Sequence, residues 1–394
     1  MSDARPILAV VTPFLTPFRV QFIERAAREM PDLQFRVFVT QNPDHGPWDV
    51  RAISGAELLH LARNKPWQHA EGLRASLGPD LATSRALLDD FREHPPSAIF
   101  LVGYAYPSHL RLILWAHRRI PLLLWGDSNA LGDTARGIRG ALKKLLLTRI
   151  IKRCAAVLPC GESGRQFFAR YGARPDRTFL CPADPDYRLI DSPNPETLRA
   201  VAERYSFPAS RRRLVCCARL VQLKRFDSAI DAFVSIADDR PDWDLVIVGD
   251  GEMRDAWRAR VPQRFARRVI WTGFLKDPAE TAAVYRHSHV FVHPGDFEAW
   301  GVVVLEAAAA GLAMIVSNVV GAAVDMVRPG RNGSLVAPGD VAEIALAMRE
   351  WTDPAALERA RGESLTISRE FREKADAIRG LRAALIATGA ITAG

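Results

Sequence analysis

The stretch HPGDFEAWGVVVLEAAAAGLAMIVSNVVGAAVDMV, residues 293–327, decides the fold of its half of the chain. It follows the apolar run Val290–Val292, which has the length and composition of a buried strand. The alanine-rich run Gly301–Ala310 predicts a helix that Gly311 ends, and Met314–Val316 predicts the next strand. Strand, helix and strand in this order form a βαβ unit with parallel strands.

The same alternation of short apolar runs and helical patterns extends over the rest of the chain. The further candidate strands are Ile7–Val11, Gln34–Val39, Ala98–Val102, Leu122–Trp125, Ala156–Pro159, Leu214–Cys217, Leu245–Val248 and Val269–Trp271. Most are continuous in Val, Ile and Leu, which is typical of parallel strands covered by helices on both faces. The pattern pauses in the proline-rich segment 180–213, which we interpret as a linker with one short helix.

These patterns predict an α/β protein with two doubly wound, Rossmann-like domains that face each other across a cleft. We place the domains at residues 1–190 and 208–370, followed by a final helical segment at 371–394. In such sheets ligands bind beyond the carboxyl ends of the strands. The loops at these ends are therefore where we look for functional residues.

Composition narrows the class of protein. The 394 residues are too many for one ordinary domain, and a hydrophobic content of 48% allows each half its own core. No apolar stretch approaches the about 18–20 residues of a membrane span, and the N-terminus lacks a secretory h-region, so we expect a cytoplasmic protein. Five cysteines without CxxC spacing predict buried free thiols and no metal site. The net charge of +8 favours anionic partners.

Two carboxylates flank the start of the helix predicted in the opening stretch. Glu298 lies in the loop before this helix, and Glu306 lies inside it. Amides near Gly301, Val302 and Val303, with the positive end of the helix dipole, form an anion site. Carboxylates beside such a site make sense if they accept hydrogen bonds from sugar hydroxyls, one from a ribose and one from a sugar ring. The alternatives are a solvated loop charge and a solvated helix residue.

A basic loop follows the candidate strand Leu214–Cys217. Arg219 and Lys224 lie in this loop, before the next predicted helix. Two cations at the carboxyl end of a strand can clamp a diphosphate, the Arg as a fork and the Lys as a point charge. Because basic loops are common, an ordinary solvated loop is the alternative.

Two more strand ends carry candidate binding residues. In the GDG turn, Gly249 and Gly251 let a ligand approach the backbone closely, although a plain turn between strand and helix explains them as well. After the TG step, backbone groups at Phe274 and Leu275 can contact the edge of a base. The alternative there is an ordinary strand end with Phe274 in the core.

Four motifs follow one another in the C-terminal half: R-x4-K, GDG, TGF, and E-x7-E before a glycine-stopped helix. In this order they resemble the motifs of the retaining GT-B glycosyltransferases of family GT4. The resemblance covers the C-terminal half and implies that this half binds a nucleotide sugar while the N-terminal half binds the acceptor. It implies that Arg219 and Lys224 contact the donor diphosphate. It implies that Glu298 contacts the donor sugar and Glu306 the ribose. The remaining donor-binding residues it implies are Gly249, Gly251, Phe274, Leu275, Trp300, Gly301, Val302 and Val303. The final helix is expected to cross back to the N-terminal domain.

The chain departs from the family's usual motifs at three positions. Trp300 replaces the Phe that often precedes the glycine, which is a conservative change. The segment TPFLTPFR, which ends in Arg19, replaces a glycine-rich turn after the first strand. Asp127 stands where many members carry a His near the reacting sugar, so we predict that Asp127 accepts a hydrogen bond from sugar or acceptor. A turn or cap with Ser128 is the alternative.

The resemblance implies transfer of a sugar, with retention of configuration, from a nucleotide diphosphate sugar to a glycan, lipid-linked or small-molecule acceptor. Cell-envelope or exopolysaccharide synthesis is the expected setting, and no metal or other cofactor is expected. A nucleotide-sugar epimerase or a phosphorylase on the same fold is the alternative. We do not expect nucleic-acid binding, because no aromatic side chains interleave with a basic stripe.

Residues 135–153 form a basic, amphipathic segment. Seven Arg and Lys side chains alternate there with Leu and Ile. This composition suits a helix on an anionic membrane surface, and it predicts peripheral contact with the inner face of the cell membrane. A core helix with a solvated basic face is the alternative.

Overall fold

The computed structural model of the chain describes residues 5–41, 50–61 and 73–392, with side chains of the helix that starts at Leu73 described from residue 80 onward. The chain divides into two compact units. The first comprises Met1–Ala183 together with Ala375–Gly394, and the second comprises Asp184–Lys374. Each unit is built on its own six-stranded sheet.

The sheet of the first unit is parallel throughout. Its strands are β1 (Ile7–Thr12), β2 (Gln34–Val39), β3 (Ala56–His60), β4 (Ala98–Val102), β5 (Leu122–Gly126) and β6 (Ala156–Pro159), in the spatial order β3-β2-β1-β4-β5-β6. The helices between them are α1 (Pro17–Glu29), α2 (Leu73–Glu93), α3 (Pro107–Ala116), α4 (Gly137–Ile151) and α5 (Glu162–Arg170). The strand order reverses between β1 and β4, which is where doubly wound sheets bind ligands.

The sheet of the second unit repeats this plan. Its strands are β7 (Arg212–Cys217), β8 (Trp243–Val248), β9 (Val269–Gly273), β10 (Val290–His293), β11 (Ala313–Ser317) and β12 (Gly333–Val336), in the order β12-β11-β10-β7-β8-β9. All neighbouring strands are parallel. The helices are α6 (Tyr187–Asp191), α7 (Pro195–Arg204), α8 (Phe226–Ile236), α9 (Arg254–Arg258), α10 (Pro278–Arg286), α11 (Val302–Ala309), α12 (Ala323–Met326), α13 (Val341–Trp351) and α14 (Pro354–Lys374). The last helix of the chain is α15 (Ala377–Ala387).

The bounds of the units differ from the predicted domain bounds. Residues 184–207 were assigned to the linker and the end of the first domain, but α6 and α7 pack against α10 of the second unit. Each of these two short helices buries one apolar residue, which is Ile190 in α6 and Val201 in α7. The chain leaves the second unit after Lys374, and α15 packs against α1 and β6 of the first unit.

The central strands are buried on both faces. In β8 every residue is buried, and the same is true of β4, β5 and β11. This burial explains why their sequences are continuous in Val, Ile and Leu rather than alternating. The five cysteines are free thiols, four of them buried, as predicted. Every helix within the described ranges is too short or too polar to cross a bilayer.

Candidate functional site

The loops that carry the predicted donor-binding residues share one edge of the second sheet. Arg219 and Lys224 follow β7, and the GDG turn follows β8. Phe274 and Leu275 follow β9, while the loop with Glu298 follows β10. Because these strands are parallel, their carboxyl ends meet at the same edge, and the structure brings the four predicted motifs to one side of one sheet.

The two glycines of the GDG turn fit against the neighbouring loop. A Cβ added at Gly249 would lie 1.9 Å from the Ala218 carbonyl oxygen, and one at Gly251 would lie 2.4 Å from that of Leu220. The Leu220 amide donates to the Asp250 carbonyl at 2.9 Å, so the two loops are joined through their backbones. The glycines therefore position the loop of Arg219, which is a structural role that the sequence interpretation did not include.

Arg219 itself extends into solvent. Its side chain is exposed, and the structure gives it no ion pair or side-chain hydrogen bond among the described residues. Lys224, by contrast, is only 14% exposed and forms an ion pair with Glu298. The predicted pair of cations thus consists of one unengaged charge and one charge that is already neutralised by a carboxylate.

The loop of Glu298 is held by the segment after β11. Glu298 forms a bridge with Val320, and its carbonyl accepts from the Gly321 amide at 3.1 Å. The Trp300 carbonyl accepts from the Ala322 amide at 2.9 Å. A Cβ on Gly321 would lie 2.1 Å from the Ala299 carbonyl oxygen, so only glycine permits this approach. The position of Glu298 is therefore fixed by the backbone on both sides.

The Glu298 carboxylate has a second polar neighbour, His293 at the end of β10. His293 is fully buried, and its Nε2 lies 3.5 Å from the carboxylate of Glu298. Burial alone would raise the pKa of Glu298, but His293 and the Lys224 ammonium outweigh it and lower this pKa to about 2. Burial in turn lowers the pKa of His293, so that the imidazole is neutral near pH 7. Glu298 is therefore ionised at every pH in ordinary use.

Glu306 occupies a different environment, in the second turn of α11. Its neighbours Leu305 and Ala307 are fully buried. Burial raises the pKa of Glu306 to about 7, and the hydroxyl of Tyr285 opposes the shift only in part. That hydroxyl is itself buried without a hydrogen-bond partner of regular geometry among the described residues. Within the described ranges Glu306 thus has no cationic partner, as expected of a group that hydrogen-bonds a ligand.

Helix α11 also differs from its neighbours at its start. Asn194, Asp277 and Asp340 cap α7, α10 and α13 by accepting hydrogen bonds from first-turn amides. The residue directly before α11 is Gly301, which has a φ of 97° and provides no side-chain cap. Its first amides are therefore not used by a cap and remain suited to an anion.

Two further side chains that were predicted to bind the donor, Phe274 and Trp300, differ in exposure. Phe274 is 38% exposed at the end of β9, so it does not lie in the core, which was the alternative. Trp300 is 4% exposed, and its ring packs against Phe371 of α14 with 6.0 Å between centroids. The indole therefore anchors the loop of Glu298 to the unit's interior.

Asp127 lies in the first unit, in the loop after β5, and its side chain is exposed. Arg19 lies close enough for its charge to interact with that of Asp127: burial lowers the pKa of Arg19, and Asp127 opposes the shift. The neighbouring Ser128 lies 3.4 Å from the Tyr104 hydroxyl through its Oγ. Asp127 thus has polar surroundings at the carboxyl end of its sheet. Within the described ranges, no group of three or more His, Cys, Asp or Glu residues is arranged to hold a metal ion.

Residues 200–364 match the family model described as "Glycosyl transferases group 1". The chain is 35% identical to the glycogen synthase of Mycobacterium tuberculosis over 180 residues, which are 43% of this chain and 42% of that protein. It is 29% identical over 198 residues to the GDP-mannose-dependent monoacylated alpha-(1-6)-phosphatidylinositol monomannoside mannosyltransferase of Corynebacterium glutamicum, covering 48% and 50%. The chain therefore matches half or less of the length of these relatives.

Solved structures match along nearly the whole chain. Sucrose-phosphate synthase from Thermosynechococcus elongatus has a TM-score of 0.74 at 16% identity, with 97% of both chains covered. HepE of Anabaena in complex with UDP and glucose has a TM-score of 0.69 at 15% identity, covering 98% and 100%. At these identities the likeness establishes the fold. The predicted GT-B fold of two α/β domains is confirmed, and residues 200–364 match a glycosyltransferase family model, as the motifs in their sequence predicted. None of the proteins named here is an epimerase or a phosphorylase.

Proposed function

We propose that the chain is a retaining glycosyltransferase of family GT4, because residues 200–364 match the family model of the group 1 glycosyltransferases. It moves a sugar from a nucleotide diphosphate sugar to an acceptor. The observation that carries the proposal is the pair Lys224–Glu298, which joins two motifs 74 residues apart at the carboxyl edge of the second sheet. The relatives act on glycogen and on mannolipids by their names, and the exopolysaccharide phosphotransferase of Streptomyces coelicolor also matches. We propose cell-envelope or exopolysaccharide synthesis as the setting.

The chemistry of the site follows from where negative charge develops. As the bond between the sugar C1 and the diphosphate breaks, the leaving nucleoside diphosphate gains charge. Arg219, Lys224 and the uncapped start of α11 would stabilise that charge by preorganised electrostatics. These groups supply the positive charge from the chain itself, so we expect turnover to persist in the presence of a metal chelator.

The remaining donor contacts divide among the other motifs. Glu298 would accept hydrogen bonds from the donor sugar, and Glu306 from the ribose hydroxyls. Phe274 and Leu275 would border the base, and Phe274 is 38% exposed there. The amides of Gly301, Val302 and Val303 would hold sugar and phosphate oxygens. The acceptor would bind to the first unit, with Asp127 accepting a hydrogen bond from it or from the donor sugar. These assignments leave the buried Trp300 as a support of the loop.

Donor binding requires Lys224 to change partner. In the structure Lys224 pairs with Glu298. A diphosphate carries more charge than one carboxylate, so we expect it to draw the ammonium away while Glu298 turns to the sugar. The donor would thus replace the ion pair, with its diphosphate bound to Lys224 and its sugar bound to Glu298.

The test is the turnover of Arg219→Ala. Arg219 is exposed and forms no ion pair or side-chain hydrogen bond in the described part of the chain, so the variant should fold and should lose about 10²–10³-fold in kcat. Arg331→Ala is the matched control. Arg331 is 60% exposed and precedes β12, so it lies at the amino ends of the strands of the same sheet. Unchanged turnover in Arg219→Ala would contradict the assignment.

Helix α4 supports a second part of the proposal, which is peripheral contact with the cytoplasmic face of a membrane. The helix contains no Asp or Glu, and Ile138 is 88% exposed. Leu142, Leu145 and Leu146 are each at least half exposed. Basic side chains flank this apolar surface, including Arg139 and Lys144. An exposed apolar stripe bordered by cations fits the interface of an anionic bilayer.

Flotation with vesicles tests this contact. Wild-type protein should float with vesicles that contain phosphatidylglycerol and remain behind with vesicles of phosphatidylcholine alone. Ile138→Asn should reduce flotation, whereas Leu346→Asn should not, because Leu346 is 68% exposed but lies on α13 of the second unit. Equal flotation with neutral and anionic vesicles would contradict an electrostatic contact.

A further inference from the structure

An apolar groove lies beside α4 in the first unit. Leu142, Leu146, Leu147 and Ile150 of α4 line it, with Leu110 of α3 and Tyr104 of the loop after β4. Its volume is about 430 Å³. A solvent-filled groove lined by leucines is costly, and it gains free energy when a hydrocarbon group replaces the water.

The charges at the groove are basic. Arg139 lines it and has no ion pair among the described residues. Lys143 also lines it, but its ammonium lies 2.6 Å from the buried carboxylate of Asp133 and is therefore neutralised. No acidic residue is among those that line the groove in the described part of the chain. An anionic group attached to a hydrocarbon chain would thus find one unengaged guanidinium.

The groove also reaches the region where we expect the acceptor. The hydroxyl of Tyr104 lies 3.4 Å from Ser128 Oγ, and Ser128 follows Asp127 at the carboxyl end of β5. The charge of Asp127 acts on Tyr104, which places the two side chains near each other. A molecule seated in the groove therefore has one part close to the predicted acceptor contact.

We propose that this groove binds the hydrocarbon chain of an anionic amphiphile, with its phosphate or carboxylate at Arg139. Calling that amphiphile the acceptor rests on the proposed glycosyltransferase activity. The groove shares Leu142, Leu146 and Arg139 with the exposed apolar surface of α4, whereas Ile138 and Leu145 belong to that surface and do not line the groove. Binding of a single amphiphile should therefore be independent of Ile138 and Leu145, although adsorption to a membrane uses them.

The adjacent leucines Leu145 and Leu146 separate these two events. They are 50% and 52% exposed, but only Leu146 lines the groove. We would titrate wild type, Leu145→Asn and Leu146→Asn with hexyl, octyl and decyl phosphate below their micelle concentrations, using calorimetry. Wild type and Leu145→Asn should bind about four-fold more tightly for each added methylene. Leu146→Asn should lose at least about ten-fold for decyl phosphate. Because the side chain is half exposed, the variant should fold, and its unfolding temperature verifies this.

Arg139 supplies a test of the anionic end. Arg139→Gln should weaken decyl phosphate several-fold and leave decyl glucoside unchanged, whereas Lys144→Gln, a neighbouring exposed cation outside the groove, should change neither. No binding of decyl phosphate, no dependence on chain length, or equal losses in Leu145→Asn and Leu146→Asn would overturn the proposal.

A parallel thermal-shift measurement with nucleotide sugars keeps this result separate from the proposed function. The proposed contacts to the donor's base, ribose and diphosphate all lie in the second unit, whereas Leu146 lies in the first, so Leu146→Asn should respond to a nucleotide sugar as wild type does. If decyl phosphate binds and no nucleotide sugar does, the groove stands and the glycosyltransferase assignment fails. If only nucleotide sugars bind, the groove proposal fails and the enzyme assignment stands.

Discussion

The loop before α11 and the second turn of the same helix each carry one glutamate, eight positions apart, in opposite electrostatic environments. Glu298 lies between Lys224 and His293, which lower its pKa to about 2. Glu306 lies among apolar side chains, which raise its pKa to about 7. The first carboxylate has its counter-charge built into the protein, whereas the second has none among the described residues.

This difference indicates two ways of preparing a carboxylate for a sugar hydroxyl. Glu298 is ionised near neutral pH, and in the proposed function it exchanges its partner Lys224 for the donor sugar. Glu306 is ready to bind but is ionised only above neutral pH, unless a ligand's hydroxyls favour the charged form. Donor affinity should therefore depend on Lys224 through charge and on Glu306 through pH.

Replacement of Lys224 should have the largest effect on turnover. In Lys224→Met the carboxylate of Glu298 loses its cation and the donor diphosphate loses one of its two clamps, so we expect kcat to fall about 10²–10³-fold. Lys224→Arg is the control that retains the charge and should recover part of the activity. A methionine variant with wild-type kcat would mean that the ion pair plays no part in turnover.

The pH dependence of donor binding should give the next largest effect. If the ionised form of Glu306 binds ribose, affinity for a nucleotide sugar should be constant above pH 8 and fall by up to about ten-fold per unit below pH 7. The esterified diphosphate does not titrate in this range. Calorimetry between pH 5.5 and 8.5 measures the profile. Glu306→Gln should bind weakly with a flat profile, and an unchanged slope in that variant would assign the titration to another group.

Replacement of His293 should have a smaller effect, which acts on the pKa of Glu298. Without the imidazole 3.5 Å away, the pKa of Glu298 should rise, so the acidic limb of kcat should move to higher pH in His293→Leu. His293→Asn retains a donor and should shift the limb less. A purely structural role of His293 would lower stability in both variants and leave the acidic limb where it is.

The smallest effect should be on stability. In the folded protein Glu306 has a pKa of about 7, whereas it is near 4.3 in an unfolded chain, so the native state binds more protons between these values. The free energy of unfolding should therefore fall as pH rises from about 4.5 to above 7. Glu306→Gln removes this loss and should be more stable than wild type by on the order of 1–3 kcal/mol at pH 8, and by much less at pH 5. Thermal denaturation of both proteins at the two pH values measures it.

The sequence predicted ten of the twelve strands that the structure describes, and the two it missed have a common physical reason. The strands β3 and β12 lie at the outer edges of their sheets and include partly exposed residues. Their sequences, AELLH and GSLV, lack the continuous apolar run of a strand that is buried on both faces. Local hydrophobicity therefore finds every interior strand and the apolar edge strands β6 and β9, but it misses the edge strands β3 and β12, which are less apolar.

The site was predictable in part for a similar reason. Glu298, Glu306, Arg219 and Lys224 lie in motifs that are continuous in sequence. The pairing of Lys224 with Glu298 was not predictable, since it depends on two loops that only the order of the strands brings together. His293 was missed although it stands in the decisive stretch, and its signal was a polar residue at the end of an apolar strand directly before Pro294.

A thermal-shift panel of nucleotide sugars on the wild-type protein tests the central claim most directly. We would compare UDP-, GDP- and ADP-sugars at concentrations far above a micromolar dissociation constant, with the free sugars as controls. One class should stabilise the protein by a few kcal/mol, and Lys224→Met should lose most of that shift. If no nucleotide sugar changes the unfolding temperature of the wild type, the assignment of Glu298, Glu306 and their cations to a donor site is wrong.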